Sequence, residues 1–192
     1  RNTFRAQRPA PADDIDREAA GLAVLVLPNL GAMSDAQVEA VRRFVARGGG
    51  LIATGASSRF DEWGDARPDI ALADLFGVTG GDRKRARPSA AAQHSYLRLT
   101  PELRGRVDGP KDGTEPPATG RRHPALAGFD ETDILPYGGT LEPQTIAPEA
   151  RVLLTYIPPF PMFPPETAWM RQPRTDIPGL VVNEPGGARV AY

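Results

Sequence analysis

The stretch GLAVLVLPNLGAMSDAQVEAVRRFVARGGGLIATG, residues 21–55, decides the first half of the fold. Its apolar run Leu22–Leu27 lacks alternation, which predicts a strand buried on both faces of a parallel sheet. Ser34 and Gln37 have the spacing of a helix capping box, and Gly48–Gly50 predicts where that helix ends. Leu51–Thr54 predicts a second strand. Because one helix joins two strands, we expect a right-handed parallel crossover.

The helix is expected over Asp35–Arg47, with its apolar residues at helical spacing on one stripe, namely Val38, Val41, Phe44 and Val45. A second, short helix is predicted at Ala71–Phe76. Further strands are expected at His94–Leu99, Arg151–Ile157, Leu180–Val182 and Arg189–Ala191, with weaker signals at 134–135 and 140–141. The fold class predicted from this pattern is α/β: a flavodoxin-like parallel sheet flanked by helices, with an irregular β- and loop-rich C-terminal half.

Composition limits the classes of function. The 192 residues carry a net charge of −1, so no global field attracts nucleic acid or an anionic membrane. There is no signal peptide or transmembrane run, and the compartment stays unassigned. The absence of cysteine excludes thiol catalysis and thiolate metal sites, and we expect no metal and no cofactor. We expect residues 1–20 to be a weakly ordered remnant of a preceding element, and residues 21–192 to be one domain truncated at both ends.

The loop that follows the second strand, Gly55–Trp63, is the first candidate site. Ligands of open parallel sheets bind beyond the carboxyl ends of the strands, so Asp61, Glu62 and Trp63 are placed for polar and stacking contacts. The alternative, which the sequence favours, is that Phe60 and Trp63 anchor the loop on the core while the acids point to water.

Two sequence patterns raise the question of hydrolysis. The loop contains Ser57 and Ser58, but it lacks the second glycine of a G-x-S-x-G nucleophile elbow. Asn183-Glu184-Pro185 follows an apolar strand and resembles the acid/base motif of (β/α)8 retaining glycosidases, whose second carboxylate must come from a later strand. Such a barrel needs regular βα alternation, and only one clear βα unit precedes Glu184. We therefore favour a turn after a strand.

The proline-rich segment Pro158–Arg174 is the second candidate site. Proline density argues against a regular helix or central strand. The segment concentrates large apolar side chains with charged ones, namely Phe160, Met162, Phe163, Glu166, Trp169, Met170, Arg171 and Arg174. It is expected to form a protein interface or a sugar-stacking platform with part of Phe160, Phe163 or Trp169 exposed, or else to pack on its own sheet.

Most of the chain, from Gly21 onward, resembles the class I glutamine-amidotransferase-like domain of bacterial β-galactosidases, called the trimerisation domain. The resemblance is carried by LVLPNLGAMSDAQVEAVRRFVARGGGLIATG and DEWG, and by HPALAGF, TDILPYGG and YIPPFPMFPPETAWMRQPRTDIP. True amidotransferases place a cysteine after the second strand, whereas this chain has Gly55-Ala56-Ser57 there. The catalytic glutamates of the β-galactosidases belong to a barrel that this sequence does not contain.

The resemblance implies a non-catalytic assembly domain of a larger β-galactosidase-like glycoside hydrolase. Its implied partners are its own catalytic barrel, neighbouring subunits of a homo-oligomer and carbohydrate, with no catalytic residue in this chain. Two alternatives remain open: a carbohydrate-binding module that uses Trp63 and Trp169, and a hydrolase that uses Asp61 or Glu62 with Glu184.

Overall fold

The computed structural model describes residues 12–80, 95–103, 122–129, 132–138, 141, 144–172 and 175–192. Its helices are α1 (Ala12–Glu18), α2 (Asp35–Ala46) and α3 (Ala73–Phe76). Its strands are β1 (Val24–Pro28), β2 (Gly50–Thr54), β3 (Val78–Gly80), β4 (Ser95–Leu99), β5 (Ile134–Tyr137), β6 (Gln144–Ile146), β7 (Arg151–Ile157), β8 (Pro178–Asn183) and β9 (Val190–Ala191). The chain divides into two compact units, residues 1–79 with 183–192, and residues 80–182.

The first unit contains the predicted crossover. Strands β1 and β2 pair in parallel, with Val26 opposite Ile52, and α2 connects them. Both hydrogen bonds of the capping box form: the backbone N–H of Gln37 donates to the Ser34 hydroxyl, and the backbone N–H of Ser34 donates to the side-chain oxygen of Gln37. Strand β9 adds to the other edge of β2, also in parallel. The predicted β–α–β unit is confirmed.

Helix α2 packs through the stripe that the sequence predicts. Val38, Val41, Phe44 and Val45 are all buried. The chain leaves the helix through Gly48, whose φ of +89° suits glycine. Gly49 then passes under the Phe44 ring, because a Cβ at Gly49 would lie 2.3 Å from that ring. The triple glycine therefore both ends the helix and makes room for its largest core side chain.

Helix α1 was not among the predicted elements. Its Asp16 carboxylate accepts hydrogen bonds from Arg43, on the last turn of α2, at 2.6 Å and from Arg47, directly after α2, at 3.2 Å. Hydrogen bonding to Arg43 lowers the pKa of Asp16 below its ordinary value, and Arg47 adds to this effect. The same ion pair raises the pKa of Arg43. A solvent-accessible cluster of charges thus holds α1 against α2.

The expectation that β1 is buried on both faces is wrong. Leu27, Leu51 and Ala53 on one face are buried, but Val24, Val26 and Ile52 on the opposite face are 46%, 51% and 43% exposed. Side chains alternate between the faces of a strand, so one helix can cover only one of the two sets. We call the uncovered set the open face. The sequence shows apolar residues on both faces, but it does not show which of them another element covers.

The second unit is antiparallel. Strand β7 pairs with β8 on one side and with β4 on the other, and β4 also pairs with β5. Between these strands the described residues form no α-helix; they form the short strand β6 and single 3-10 turns such as Pro101–Leu103 and Pro124–Leu126. Antiparallel neighbours need no crossover helix, which is why this half carries so few helices.

The described residues are therefore mixed α/β with few helices, and the strands of the first unit are parallel while those of the second are antiparallel. The predicted flavodoxin-like parallel sheet is not confirmed, because most of the described strand pairs are antiparallel. Four predicted strands are found as β4, β7, β8 and β9, and the weaker signal at 134–135 is part of β5. The predicted short helix is α3, which ends at Gly77 with a φ of +70°. Position 140, and most of the predicted loops at 79–92 and 104–124, lie outside the described residues.

Candidate functional site

The carboxyl ends of β1 and β2 are joined by a tight set of hydrogen bonds. The Asn29 N–H donates to the Thr54 hydroxyl at 3.0 Å, and the Asn29 side-chain oxygen accepts from the Ala56 N–H at 2.8 Å. Asn29 itself has a φ of +52°, a conformation that asparagine tolerates better than most residues. Gly55 has no room for a side chain, since a Cβ there would lie 2.3 Å from Asn29. The segments that follow β1 and β2 are therefore hydrogen-bonded to each other at this edge of the sheet.

The hydroxyl groups of both serines in the loop hydrogen-bond to backbone groups. Ser57 is fully buried, and its hydroxyl lies within hydrogen-bond distance of two backbone carbonyl oxygens, that of Thr54 at 2.7 Å and that of Leu27 at 3.0 Å. Ser58 is also buried and accepts a hydrogen bond from the Leu72 N–H at 3.1 Å. A nucleophilic hydroxyl needs an adjacent base and access to substrate. These hydroxyls instead join the loop to β1 and to the start of α3.

The acid-aromatic tip of the loop divides into a structural residue and exposed ones. The Asp61 carboxylate accepts hydrogen bonds at 2.9 Å from the N–H groups of Trp63 and Asp65, so it shapes the turn. Glu62 is exposed, and Trp63 is 85% exposed. The favoured interpretation that Trp63 anchors the loop on the core is therefore wrong. Phe60 performs that role, because its backbone bonds to Gly31 and Met33 while its ring lies over Gly31.

The Asn-Glu-Pro motif forms a structural turn. Asn183 is buried, and its amide nitrogen donates to the Asp74 and Leu75 carbonyl oxygens, each at 3.1 Å. Its side-chain oxygen accepts from the Glu184 N–H at 3.0 Å. Glu184 itself is exposed and precedes a 3-10 turn at Pro185–Gly187. The predicted turn after a strand is confirmed, and the asparagine serves to bind the end of α3.

The loop Pro158–Gln172 presents large apolar side chains to solvent. Phe163 is 79% exposed and Trp169 is 52% exposed, as the sequence predicts for this segment. The Arg171 guanidinium lies 3.9 Å from the centre of the Trp169 ring and covers one of its faces. Phe160 instead stacks on Tyr96 of β4, at 6.0 Å between ring centres, and fastens the start of the loop to its own sheet. Glu166 is exposed on the 3-10 turn Pro165–Thr167.

The described residues contain no group of three or more histidine, aspartate or glutamate side chains placed to hold a metal ion. Within the same part of the chain, no helix has the length and apolar character to cross a bilayer. Three exposed apolar surfaces are the candidate sites among the described residues: the Trp63 tip, the aromatic loop 158–172 and the open face. The sequence interpretation missed the open face because it assigned those residues to the core.

Comparison with solved structures identifies the fold. The chain superposes on the β-galactosidase from Bacillus circulans sp. alkalophilus with a TM-score of 0.59 and 17% identity, over 93% of this chain and 21% of that one. A GH42 β-galactosidase from G. stearothermophilus gives a TM-score of 0.57 and 18% identity, over 93% and 19% of the two chains. A cytoplasmic protein from Salmonella typhimurium gives 0.53 and 17%, over 97% and 63%.

No family model matches the chain, and no curated protein sequence matches it. At these identities the likeness establishes the fold alone, and the fold is that of a domain that occurs in β-galactosidases. The chain spans about a fifth of the length of the two β-galactosidases.

Proposed function

We propose that this chain is the assembly domain of a larger β-galactosidase-like glycoside hydrolase, of the amidotransferase-like trimerisation type. In this role it packs on the catalytic barrel and on neighbouring subunits of a homo-oligomer. The observation that carries the proposal is the exposed aromatic loop 158–172, in which Phe163 is 79% exposed and Trp169 is 52% exposed.

An exposed aromatic pair of this kind is typical of an interface core. Aromatic residues and arginine are enriched at protein interfaces, and hot spots favour tryptophan and arginine above other residues. Trp169 and Arg171 are already stacked on each other, so less conformational entropy is lost when a partner covers them. The loop is also fastened at its base by the contact of Phe160 with Tyr96.

The local chemistry supports a non-catalytic role. A retaining glycosidase needs two carboxylates flanking one bond, and an amidotransferase needs an activated thiol. Here Asp61 is used in its own turn, and the chain has no cysteine. The isolated chain is therefore expected to hydrolyse neither aryl galactosides nor glutamine. Turnover that is abolished by Glu184→Gln or Asp61→Asn would contradict the proposal and favour the hydrolase.

The assembly role is tested in the full-length protein with Trp169→Ala. We expect the dissociation constant of the oligomer to rise at least tenfold, about 1.4 kcal/mol, because a half-exposed tryptophan at an interface is a hot-spot residue. The measurement is sedimentation velocity over a dilution series, beside a thermal melt. Trp63→Ala is the matched control, since it removes another exposed tryptophan from a different loop. An unchanged oligomer with a much lower melting temperature would show that Trp169 belongs to the core.

A second function, carbohydrate binding, is favoured by one observation. Trp63 is 85% exposed, so its ring is accessible for stacking against a sugar, whereas one face of Trp169 is covered by Arg171. If Trp63 binds sugar, galacto-oligosaccharides should quench its fluorescence in the Trp169→Phe variant. The quenching should vanish in Trp63→Phe, and the absence of any quenching would exclude this role.

A further inference from the structure

We propose that the Arg59 and Arg67 side chains of the first unit form a binding site for one carboxylate group. Both arginines lie on the short hairpin that follows β2. The inference goes beyond the proposed function, because it concerns neither the aromatic loop nor the assembly of subunits.

The backbone of the hairpin places the two arginines opposite each other. Phe60 and Ala66 form an antiparallel bridge, and the Arg67 N–H donates to the Arg59 carbonyl oxygen at 3.0 Å. The two arginines are therefore cross-strand neighbours, and their side chains leave the hairpin on the same face with their Cβ atoms about 5 Å apart. Like charges in that arrangement repel each other, and an anion that contacts both of them offsets the repulsion.

Arg59 is buried without the close partners that a buried arginine requires. The residue is only 8% exposed, and among the described residues its Nε atom has no hydrogen-bond partner. Its ion pair is with Asp69, whose carboxylate oxygen lies 3.9 Å from the Nη1 atom. That oxygen also accepts a hydrogen bond from the Ile70 N–H at 2.7 Å. A guanidinium taken out of water is costly unless a counter-charge lies within hydrogen-bond distance.

Arg122 of the second unit shows how this chain satisfies a guanidinium of similar burial. Its side chain is 14% exposed, against 10% for Arg59. Its Nη atoms donate to the Thr132 carbonyl oxygen at 2.8 Å and to the Asp133 carboxylate at 2.6 Å. In place of two such hydrogen bonds, Arg59 has the distant Asp69 oxygen among the described residues. The Arg59 Nη atoms still reach solvent, since Nε alone of its nitrogens is buried without a partner, and they are the atoms that would contact a ligand.

Arg67 is fixed in place and supplies the second cation. Its Nη2 atom donates to the Met33 carbonyl oxygen at 3.0 Å and lies 2.7 Å from an Asp35 carboxylate oxygen. These contacts hold the guanidinium at the start of α2, while its Nε atom is buried and has no partner among the described residues. The Asp35 side chain is 86% exposed, so water screens this ion pair. Both arginines therefore retain donors for a further acceptor.

One carboxylate is the ligand that fits the charges of this site. Of the two carboxylates that pair with the arginines, only that of Asp35 lies within hydrogen-bond distance, so one positive charge lacks close compensation. A carboxylate carries one negative charge, and its two oxygens match the planar fork of a guanidinium. A phosphate dianion would bring a second negative charge near Asp61 and Asp65, which share the arginines' face of the hairpin. The group therefore belongs to a free carboxylate compound or to an acidic side chain of a longer polypeptide.

The binding test follows the arginine Nε–H signals of this chain by heteronuclear NMR while sodium acetate is added at constant ionic strength. Sodium chloride and acetamide are the controls, since acetamide has the shape of acetate without its charge. We expect the Nε–H signals of Arg59 and Arg67 to shift together and to saturate with acetate alone. Arg59→Met should raise the apparent dissociation constant about tenfold, because charge-assisted hydrogen bonds are lost. Arg151→Met is the matched control: it removes the same charge from an exposed position of β7 and should leave the constant unchanged.

Urea unfolding distinguishes a ligand site from a structural arginine. In chloride, Arg59→Met should unfold at the same urea concentration as the parent chain or at a higher one, because it removes a buried charge that lacks a close partner. In saturating acetate the parent should be the more stable of the two, because acetate binds its folded state. If the methionine variant does not fold, Arg59→Lys replaces it; lysine keeps the charge but loses the fork, so acetate should bind more weakly.

Nε–H signals that do not saturate with acetate would overturn the inference. So would a lower urea midpoint of Arg59→Met in chloride with no further difference in acetate, since that is the behaviour of a structural residue. The same titration of the full-length protein identifies the source of the carboxylate. Binding of acetate to both proteins supports the site and assigns it to a free compound. Binding to this chain alone, with Arg59→Met lowering the melting temperature only of the full-length protein, supports the site and assigns it to an acidic side chain of that polypeptide.

Discussion

Replacing Asn183 by alanine tests whether the Asn-Glu-Pro turn is structural. The Asn183 side chain makes three hydrogen bonds to the backbone: two to the carbonyl oxygens of Asp74 and Leu75, and one from the Glu184 N–H. The residue is only 5% exposed, so water cannot readily replace the lost amide. At about 1 kcal/mol for each hydrogen bond, Asn183→Ala should lower the free energy of unfolding by about 3 kcal/mol. In a chain of this size that corresponds to about 6–12 °C in melting temperature.

The assay is urea and thermal unfolding followed by circular dichroism, with Glu184→Gln as the matched control. Glu184 is exposed, so its amide variant should unfold within about 0.5 kcal/mol of the parent chain. A loss below about 0.5 kcal/mol for Asn183→Ala would refute the assignment of the asparagine to the end of α3. A large effect of Glu184→Gln on turnover, without an effect on stability, would instead support the glycosidase interpretation of the motif.

Two further predictions concern the first unit. Because hydrogen bonding to Arg43 lowers the pKa of Asp16, this pair should stabilise the docking of α1 above pH 3.8, the ordinary value, and the effect should disappear as the pH falls through the lowered pKa. Asp16→Asn should therefore speed tryptic cleavage after Arg17 at pH 7. The variant and the parent should have equal amide-exchange rates in α1 once the pH lies below the lowered pKa of Asp16, and a difference that persists there would contradict the role of the ion pair. Gly49→Ala should cost about 1–3 kcal/mol by urea unfolding, because its Cβ would lie 2.3 Å from the Phe44 ring. Adding Phe44→Leu should recover part of that loss, and additive losses would show that the two positions do not conflict.

Physical reasoning from sequence predicted the β–α–β unit because its signals are local. The capping box joins Ser34 to Gln37, three positions apart, and the apolar stripe of α2 repeats with each helical turn. The exposure of the loop 158–172 was predictable for a similar reason. Its prolines prevent a regular element, while its aromatic residues remain too numerous for the segment to bury within itself.

Only the tertiary structure decided the rest, because the deciding contacts join distant parts of the chain. Asn183 bonds to Asp74 and Leu75 over 109 and 108 positions, so no local pattern marks it as structural. The strands β4, β5, β7 and β8 were recognisable as strands, but their antiparallel pairing depends on which edges meet. The sequence alone determined that Val24, Val26 and Ile52 are apolar. The tertiary structure decided that these residues are exposed while Leu27, Leu51 and Ala53 on the other face are buried, because side chains alternate between the two faces of a strand and each face is covered separately.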